Sequence, residues 1–129
     1  NGLLLEKMQL VTQPWNVSVL AQEAGIAALS EKEYVERSME AIHRERTRLL
    51  ESMGHLGYQT FASSANYIFF KGPENLYEQC LERGILIRDC SNYYGLSKRY
   101  YRIAVRLREE NNRLLQVLEE IQAPDSRKE

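Results

Sequence analysis

Two stretches of alternating apolar and polar residues lie between Gly84 and Arg106, and they predict a pair of β-strands joined by a loop. Each strand carries an arginine opposite its apolar residues, Arg88 on the first and Arg102 on the second. The predicted apolar face consists of Ile85, Ile87, Tyr101, Ile103 and Val105. If the arginine faces coincide, like charges gather there and repel unless a carboxylate or phosphate lies between them. The pattern therefore predicts an anion site.

The same arginines also fit an ordinary structural role. Asp89, Glu109 and Glu110 are close in sequence and offer carboxylates for ion pairs. Long arginine stems can also lie along apolar surface while their charged ends reach water. From periodicity alone, both interpretations stand.

Helical patterns fill the first half of the chain. Residues 1–12 predict a helix or an extended arm, which Gln13-Pro14-Trp15-Asn16 interrupts. A closely packed helix is expected from Ser18 to Leu29, and Ser30 with Glu33 matches a capping box at the start of a long helix. The apolar stripe of that helix is Val35, Met39, Ile42, Leu49 and Met53, with Arg46 in its one gap. The charged run 43–46 is expected to be solvated.

The second half alternates strands and helices. Strands are predicted at 58–61 and 67–70, and a short helix over 74–83 that faces inward through Leu76, Tyr77, Cys80 and Leu81 and ends at Gly84. A last helix is expected to begin near Glu109 and to stop before Pro124. The fold class is therefore α+β, a small antiparallel or mixed sheet of about four strands with helices packed on it.

Composition narrows the possible functions. The 129 residues suit one domain, and 17 basic against 18 acidic residues leave a net charge of -1, too small to attract nucleic acid. Cys80 and Cys90 predict reduced thiols, and no apolar run is long enough to span a membrane. The start NGLLLEKMQLV lacks the features of a signal peptide, so a cytoplasmic protein is expected.

Catalytic groups are hard to find among the residues themselves. His43 and His55 are expected at the surface, and Cys90 as a packed or loop thiol. The lysines lie in polar, tail or turn contexts that do not favour a Schiff-base amine. The residues alone thus favour a module that binds an anion without reacting with it, and they predict no metal site.

Several motifs in order resemble the carboxy-terminal part of the fold-type I aminotransferases, the class I/II pyridoxal-phosphate enzymes. They are QPWNVSVLAQEAG, ANYIFFK, GILIRDCSNYYGL and YYRIAVR, the last running into an acidic helix start. The resemblance extends from Gln13 to Ile121 and is strongest for the histidinol-phosphate aminotransferase and threonine-phosphate decarboxylase branch. It implies that Arg102 binds the substrate α-carboxylate and Arg88 a substrate phosphate or carboxylate. Asn66 is a third candidate for substrate binding, and Arg106 a fourth.

The resemblance also implies what lies outside this chain. Residues 1–13 would link to an absent large domain, residues 14–123 would form the aminotransferase small domain, and residues 124–129 a polar tail. Pyridoxal phosphate would belong to the full-length enzyme, because the Schiff-base lysine motif is missing here. The isolated chain is therefore expected to be inactive. The full-length enzyme is expected to be a homodimer. Transamination and decarboxylation both remain open, with CSNYYGL favouring the decarboxylase-like subgroup. The alternative is a stand-alone binding or regulatory domain for a small anionic metabolite.

Overall fold

The computed structural model describes residues 1–12 and 17–123. The chain divides into two compact units, Asn1–Arg37 and Ser38–Glu129. The predicted interruption at 13–16 and the predicted tail at 124–129 lie outside the described residues. The described elements are, in order, α1 Gly2–Val11, α2 Val19–Ser30, α3 Lys32–His55, β1 Gln59–Thr60, β2 Tyr67–Lys71, α4 Leu76–Glu82, β3 Arg88–Asp89, β4 Tyr100–Ala104 and α5 Arg108–Gln122.

In the first unit the predicted helices form, but the predicted close packing of α2 is wrong. Neither α1 nor α2 has a buried residue, and Leu20 and Leu29 are both largely exposed. The backbone amide of Ala21 donates to the Ser18 hydroxyl over 3.2 Å, which caps the start of α2. Sequence pattern therefore predicted the helix correctly and its environment incorrectly.

The predicted capping box at Ser30 is wrong. Ser30 is the last residue of α2, and its hydroxyl donates to the carbonyl of Ile26 over 3.0 Å. Only Glu31 separates α2 from α3, because its backbone (φ -82°, ψ 60°) leaves the helical region for a single residue. A serine hydroxyl bonds equally well to the carbonyl four residues earlier, so the motif does not distinguish a helix start from a helix end.

The four described strands form one antiparallel sheet in the order β1-β2-β4-β3. In the central pair Ile68 lies opposite Ile103, and Phe70 opposite Tyr101. All four of these side chains are buried, since strand alternation turns them to the same face. The predicted fold class, α+β with a four-stranded sheet, is confirmed.

Helices α3, α4 and α5 supply most of the remaining core, and Tyr58 and Ile87 from the connecting segments complete it. The buried apolar members of the helices are Leu49, Met53, Leu76, Cys80, Leu114, Val117 and Leu118. Three predicted inward residues are exposed instead, Val35 and Met39 in α3 and Leu81 in α4. Periodicity places a residue on a helical stripe, but only the position of the sheet decides how much of that stripe is covered.

The strand predicted over 85–89 is shorter than expected, since only Arg88–Asp89 pairs. Gly84, with φ +76°, ends α4, and the amide of Ile85 donates back to the carbonyl of Cys80 over 2.9 Å. These residues therefore complete the helix end before the strand begins. The predicted alternation survives, because Ile87 is buried while Leu86 and Arg88 are exposed.

Glu45 overturns the prediction that the charged run 43–46 is solvated. Its side chain is only 4% exposed. It accepts hydrogen bonds from Arg48 (2.8 Å), Asn111 (3.0 Å) and Arg108 (2.7 Å), so it joins α3 to α5. Burial raises the pKa of Glu45, but the hydrogen bonds from Arg48 and Asn111, followed by the charges of Arg48 and Arg108, lower it overall from 4.5 to about 2.

Among the described residues, no helix has the length and apolar character needed to cross a membrane.

Candidate functional site

Arg88 and Arg102 are direct cross-strand partners in the antiparallel pair β3 and β4. Both project from the face opposite the buried Ile103 and Tyr101, because alternate residues of a strand point to opposite sides. Directly opposite residues in such a pair have Cβ atoms about 5 Å apart, so two positive side chains start from neighbouring positions. The predicted coincidence of the arginine faces is confirmed.

Each of these arginines lies over a tyrosine ring. The Arg102 Cζ is 4.7 Å from the centroid of the Tyr67 ring, and the Arg88 Cζ is 5.9 Å from that of Tyr93. Arg88 also donates a long hydrogen bond of 3.5 Å to Asn92 Oδ1. Within residues 1–12 and 17–123, no carboxylate lies within 4.0 Å of either guanidinium.

The nearby carboxylates have other partners. Asp89 accepts from the Ser91 amide and the Ser91 hydroxyl, both at 2.9 Å. Glu110 accepts from Arg106 Nε over 2.6 Å. The ordinary ion-pair interpretation therefore fits Arg106 but not Arg88 or Arg102.

Two clefts meet at Arg102 and Tyr67. The first, of about 450 Å³, has largely apolar walls that include Phe61, Phe69 and Tyr93. The second, of about 850 Å³, holds Arg88 and Asn66 together with Asp89 and Glu78. Arg102 and Tyr67 line both, so the Arg102 guanidinium is accessible from an aromatic side and from a charged side.

An aromatic cluster occupies the same sheet face beside Arg102. The Phe61 and Phe69 rings lie 5.0 Å apart, and Phe69 stacks on Tyr100 at 5.6 Å with 12° between the ring planes. Lys71 Nζ lies 5.5 Å from the Tyr100 centroid. Because Phe69 is directly opposite Arg102, this cluster limits where the arginine side chain can extend.

Arg46 holds the turn that leads into β2. Its Nη1 donates to the carbonyls of Ser64 (3.1 Å) and Ala65 (2.8 Å), which explains the gap it leaves in the apolar stripe of α3. Asn66 follows this turn with an exposed side chain, and its carbonyl accepts from the amide of Val105 over 2.8 Å. The backbone of Asn66 is thus fixed, and its side chain lies at the wall of the second cleft.

Cys90 lies at the wall of the first cleft, but only 2% of its surface is exposed. Burial raises the pKa of its thiol, while the charges of Arg102 and Arg88 lower it less strongly. The expectation of a packed thiol is therefore confirmed. His43 and His55 are exposed, as predicted.

The lysines among the described residues are all accessible to water. Lys7, Lys32 and Lys98 are exposed and Lys71 is half-buried, whereas a Schiff-base amine is usually desolvated. In the same residues no three His, Cys, Asp or Glu side chains cluster to hold a metal ion.

Comparison with known proteins identifies the family. The model of aminotransferase class I and II matches residues 3–118. The chain belongs to this family. The resemblance found in the motifs is thereby confirmed.

Two curated relatives show which kinds of enzyme this chain is similar to. It is 36% identical over 120 residues to histidinol-phosphate aminotransferase 2 of Archaeoglobus fulgidus, covering 92% of this chain and 35% of that protein. It is 32% identical over 121 residues to threonine-phosphate decarboxylase of Salmonella typhimurium, covering 91% and 33%. The chain thus spans about a third of the length of the curated relatives it matches.

A solved structure shows the same fold. The crystal structure of the histidinol-phosphate aminotransferase from Clostridium acetobutylicum matches with a TM-score of 0.84 and 29% identity, covering 91% of this chain and 37% of that one. The antiparallel sheet and its helices are therefore of the aminotransferase type.

Sequence reasoning missed the two tyrosines over the arginines. Tyr67 occurs in a run that periodicity assigns to a strand, and Tyr93 in a loop, so neither pattern marks a partner for a guanidinium. A usable signal was present for Tyr67, because an aromatic residue on the outer face of a strand beside an outward arginine favours cross-strand contact.

Proposed function

We propose that this chain is the carboxy-terminal substrate-binding part of a pyridoxal-phosphate-dependent aminotransferase or amino-acid decarboxylase whose substrate carries a phosphate. Arg102 binds the substrate carboxylate, and Arg88 binds a second anionic group. The proposal rests on the arrangement of these two arginines, which are directly opposite each other in one strand pair. No carboxylate of the described residues lies within 4.0 Å of either guanidinium.

The two facing positive charges favour a ligand that carries two anionic groups. Like charges directly opposite each other on a sheet destabilise it, and an anion between them removes that repulsion. Guanidinium groups bind carboxylate and phosphate through two parallel N–H···O bonds, which gives orientation as well as affinity. A substrate with a carboxylate and a phosphate would use both arginines.

The names of the relatives support the same substrate class. One relative is a histidinol-phosphate aminotransferase and another a threonine-phosphate decarboxylase. Both names contain a phosphorylated substrate, and both reactions are kept in the proposal. The cofactor site and the reacting lysine would belong to the part of the relatives, about two thirds of their length, that this chain does not match.

Substitution of Arg102 in the complete gene product tests the proposal. With pyridoxal phosphate present and O-phospho-L-threonine, which carries both a carboxylate and a phosphate, as substrate, Arg102→Ala should lower kcat/KM by roughly 10- to 100-fold, the range expected for lost hydrogen bonds to a charged group. Circular dichroism should show unchanged folding. Arg44→Ala, at an exposed arginine of α3, is the matched control and should retain full activity.

Unchanged kinetics of Arg102→Ala together with lowered thermal stability would contradict the proposal and assign the arginine a structural role. The alternative function, a stand-alone binding domain for a small anionic metabolite, uses the same arginines without the cofactor. It is distinguished by the gene: a reading frame that continues upstream of Asn1 through a Ser-x-x-Lys segment favours the enzyme, and a start codon near Asn1 favours the binding domain.

A further inference from the structure

The neighbours of Arg102 on its face of the sheet limit where its side chain extends. Directly opposite on β2 is Phe69, whose ring packs against Phe61 at 5.0 Å and Tyr100 at 5.6 Å. Phe61 and Phe69 of this aromatic cluster also line the first cleft with Arg102, so the rings bound the arginine on that side. On the other neighbouring strand, β3, the positively charged Arg88 lies directly opposite Arg102.

The Arg102 side chain extends toward Tyr67. Tyr67 is opposite Ala104, two residues along β4 from Arg102, so Tyr67 and Arg102 are diagonal neighbours on one face. Diagonal Cβ atoms are about 7 Å apart, a distance that long and aromatic side chains span. The small Ala104 leaves room between them, and the Arg102 Cζ lies 4.7 Å from the Tyr67 centroid.

This contact leaves the binding groups of Arg102 available. A ring attracts the guanidinium through its π face, whereas the N–H groups of the guanidinium donate within its own plane. In the described part of the chain, no acceptor takes a hydrogen bond from the Arg102 side chain. Arg88 is held less closely, because Tyr93 lies 5.9 Å away, near the outer limit for such a contact.

We infer that Tyr67 is a positioning residue, which holds the guanidinium of Arg102 in the orientation that binds the substrate carboxylate. This inference rests on the proposed function and adds to it the residue that orients the anchor. Pre-orientation improves affinity because the side chain loses less freedom when the ligand binds. The aromatic ring of Tyr67, rather than its hydroxyl, supplies the contact.

The test measures the dissociation constant of O-phospho-L-threonine for the complete gene product by calorimetry. Tyr67→Leu should weaken binding roughly fivefold, as expected for loss of a cation–π contact near 1 kcal/mol. Tyr67→Phe keeps the ring and should bind within about twofold of wild type, since the cation–π attraction is retained. Tyr94→Leu is the matched control, because Tyr94 is a fully exposed tyrosine of the loop.

A second measurement reports the contact without ligand. In protein labelled with ¹³C-arginine, the δ-methylene resonances of Arg102 should be shifted upfield by the Tyr67 ring, and Tyr67→Leu should abolish the shift. Resonances of wild-type Arg102 without any ring shift would overturn the inference, and so would Tyr67→Phe binding as weakly as Tyr67→Leu.

The two proposals fail separately. If Arg102→Ala weakens binding while Tyr67→Leu does not, the inference about Tyr67 is wrong and the proposed function stands. If Arg102→Ala itself leaves the binding of O-phospho-L-threonine unchanged, the proposed function is wrong, and the positioning role of Tyr67 is lost with it.

Discussion

Glu45 of α3 accepts a hydrogen bond of 2.7 Å from Arg108 Nε at the start of α5. The two residues are 63 positions apart in sequence. Asn111 links the same carboxylate to the end of β4, since its Nδ2 donates to Glu45 over 3.0 Å and to the carbonyl of Arg106 over 2.7 Å. The end of β4 and the beginning of α5 are therefore fixed to α3 by one buried carboxylate.

Glu45→Gln should destabilise the fold by roughly 2 kcal/mol, because Arg48 and Arg108 lose the negative charge that compensates them. Both arginines retain some access to water, which limits the loss. Urea denaturation followed by circular dichroism measures the change. Glu51→Gln, at an exposed position of the same helix, is the control and should alter stability by less than about 0.5 kcal/mol. Equal effects of the two substitutions would contradict the role of Glu45.

The stability contribution of Glu45 should depend on pH in the acid range. Its pKa is lowered from 4.5 to about 2 in the folded chain, so the folded state favours the ionised carboxylate. The contribution is present above pH 4.5 and is lost as the pH falls toward 2. The difference in free energy of unfolding between wild type and Glu45→Gln should therefore shrink over that window. A difference that stays constant across the window would show that Glu45 ionisation is not coupled to folding.

Removal of either facing arginine should not destabilise the sheet. Arg88→Gln abolishes a like-charge pair, and its ring contact with Tyr93 is long at 5.9 Å, so we expect unchanged stability or a gain of about 0.5 kcal/mol at low ionic strength. Arg102→Gln abolishes the same pair but also loses the contact with the Tyr67 ring, so its gain should be smaller or absent. The gain should fall at high ionic strength, because salt screens exposed charges. Thermal denaturation at two salt concentrations measures this, with Arg44→Gln as control. A clear loss of stability that salt does not change would instead indicate a packing role.

Two glycines should respond to alanine in opposite directions. At the buried Gly72, a Cβ would lie 2.7 Å from Leu76 Cδ2 and 3.4 Å from Tyr58, so Gly72→Ala should cost about 1 kcal/mol. At Gly54, in the last turns of α3, a Cβ meets nothing within 4 Å, and Gly54→Ala should stabilise by about 0.5 kcal/mol through helix propensity. Urea denaturation of both variants tests the pair. A stabilised Gly72→Ala would show that Leu76 moves freely.

Much of the fold follows from local pattern. The alternation that placed Tyr101 and Ile103 on one apolar face is confirmed, because a strand turns successive residues to opposite faces wherever it lies. The same rule put Arg88 and Arg102 on one side of the sheet. Their substrate-binding role, and that of Asn66, stays a prediction.

The sequence by itself determined the elements, the core face of the sheet and the side on which the arginines lie, since those follow from backbone periodicity and from motifs read along the chain. The tertiary structure decided which charges are paired. In the folded chain the buried Glu45 accepts a hydrogen bond from Arg108, Arg106 forms an ion pair with Glu110, and the Tyr67 ring lies beside Arg102. The physical reason is that ion pairing and burial depend on what the fold brings within a few ångströms, and several of those neighbours are distant along the chain.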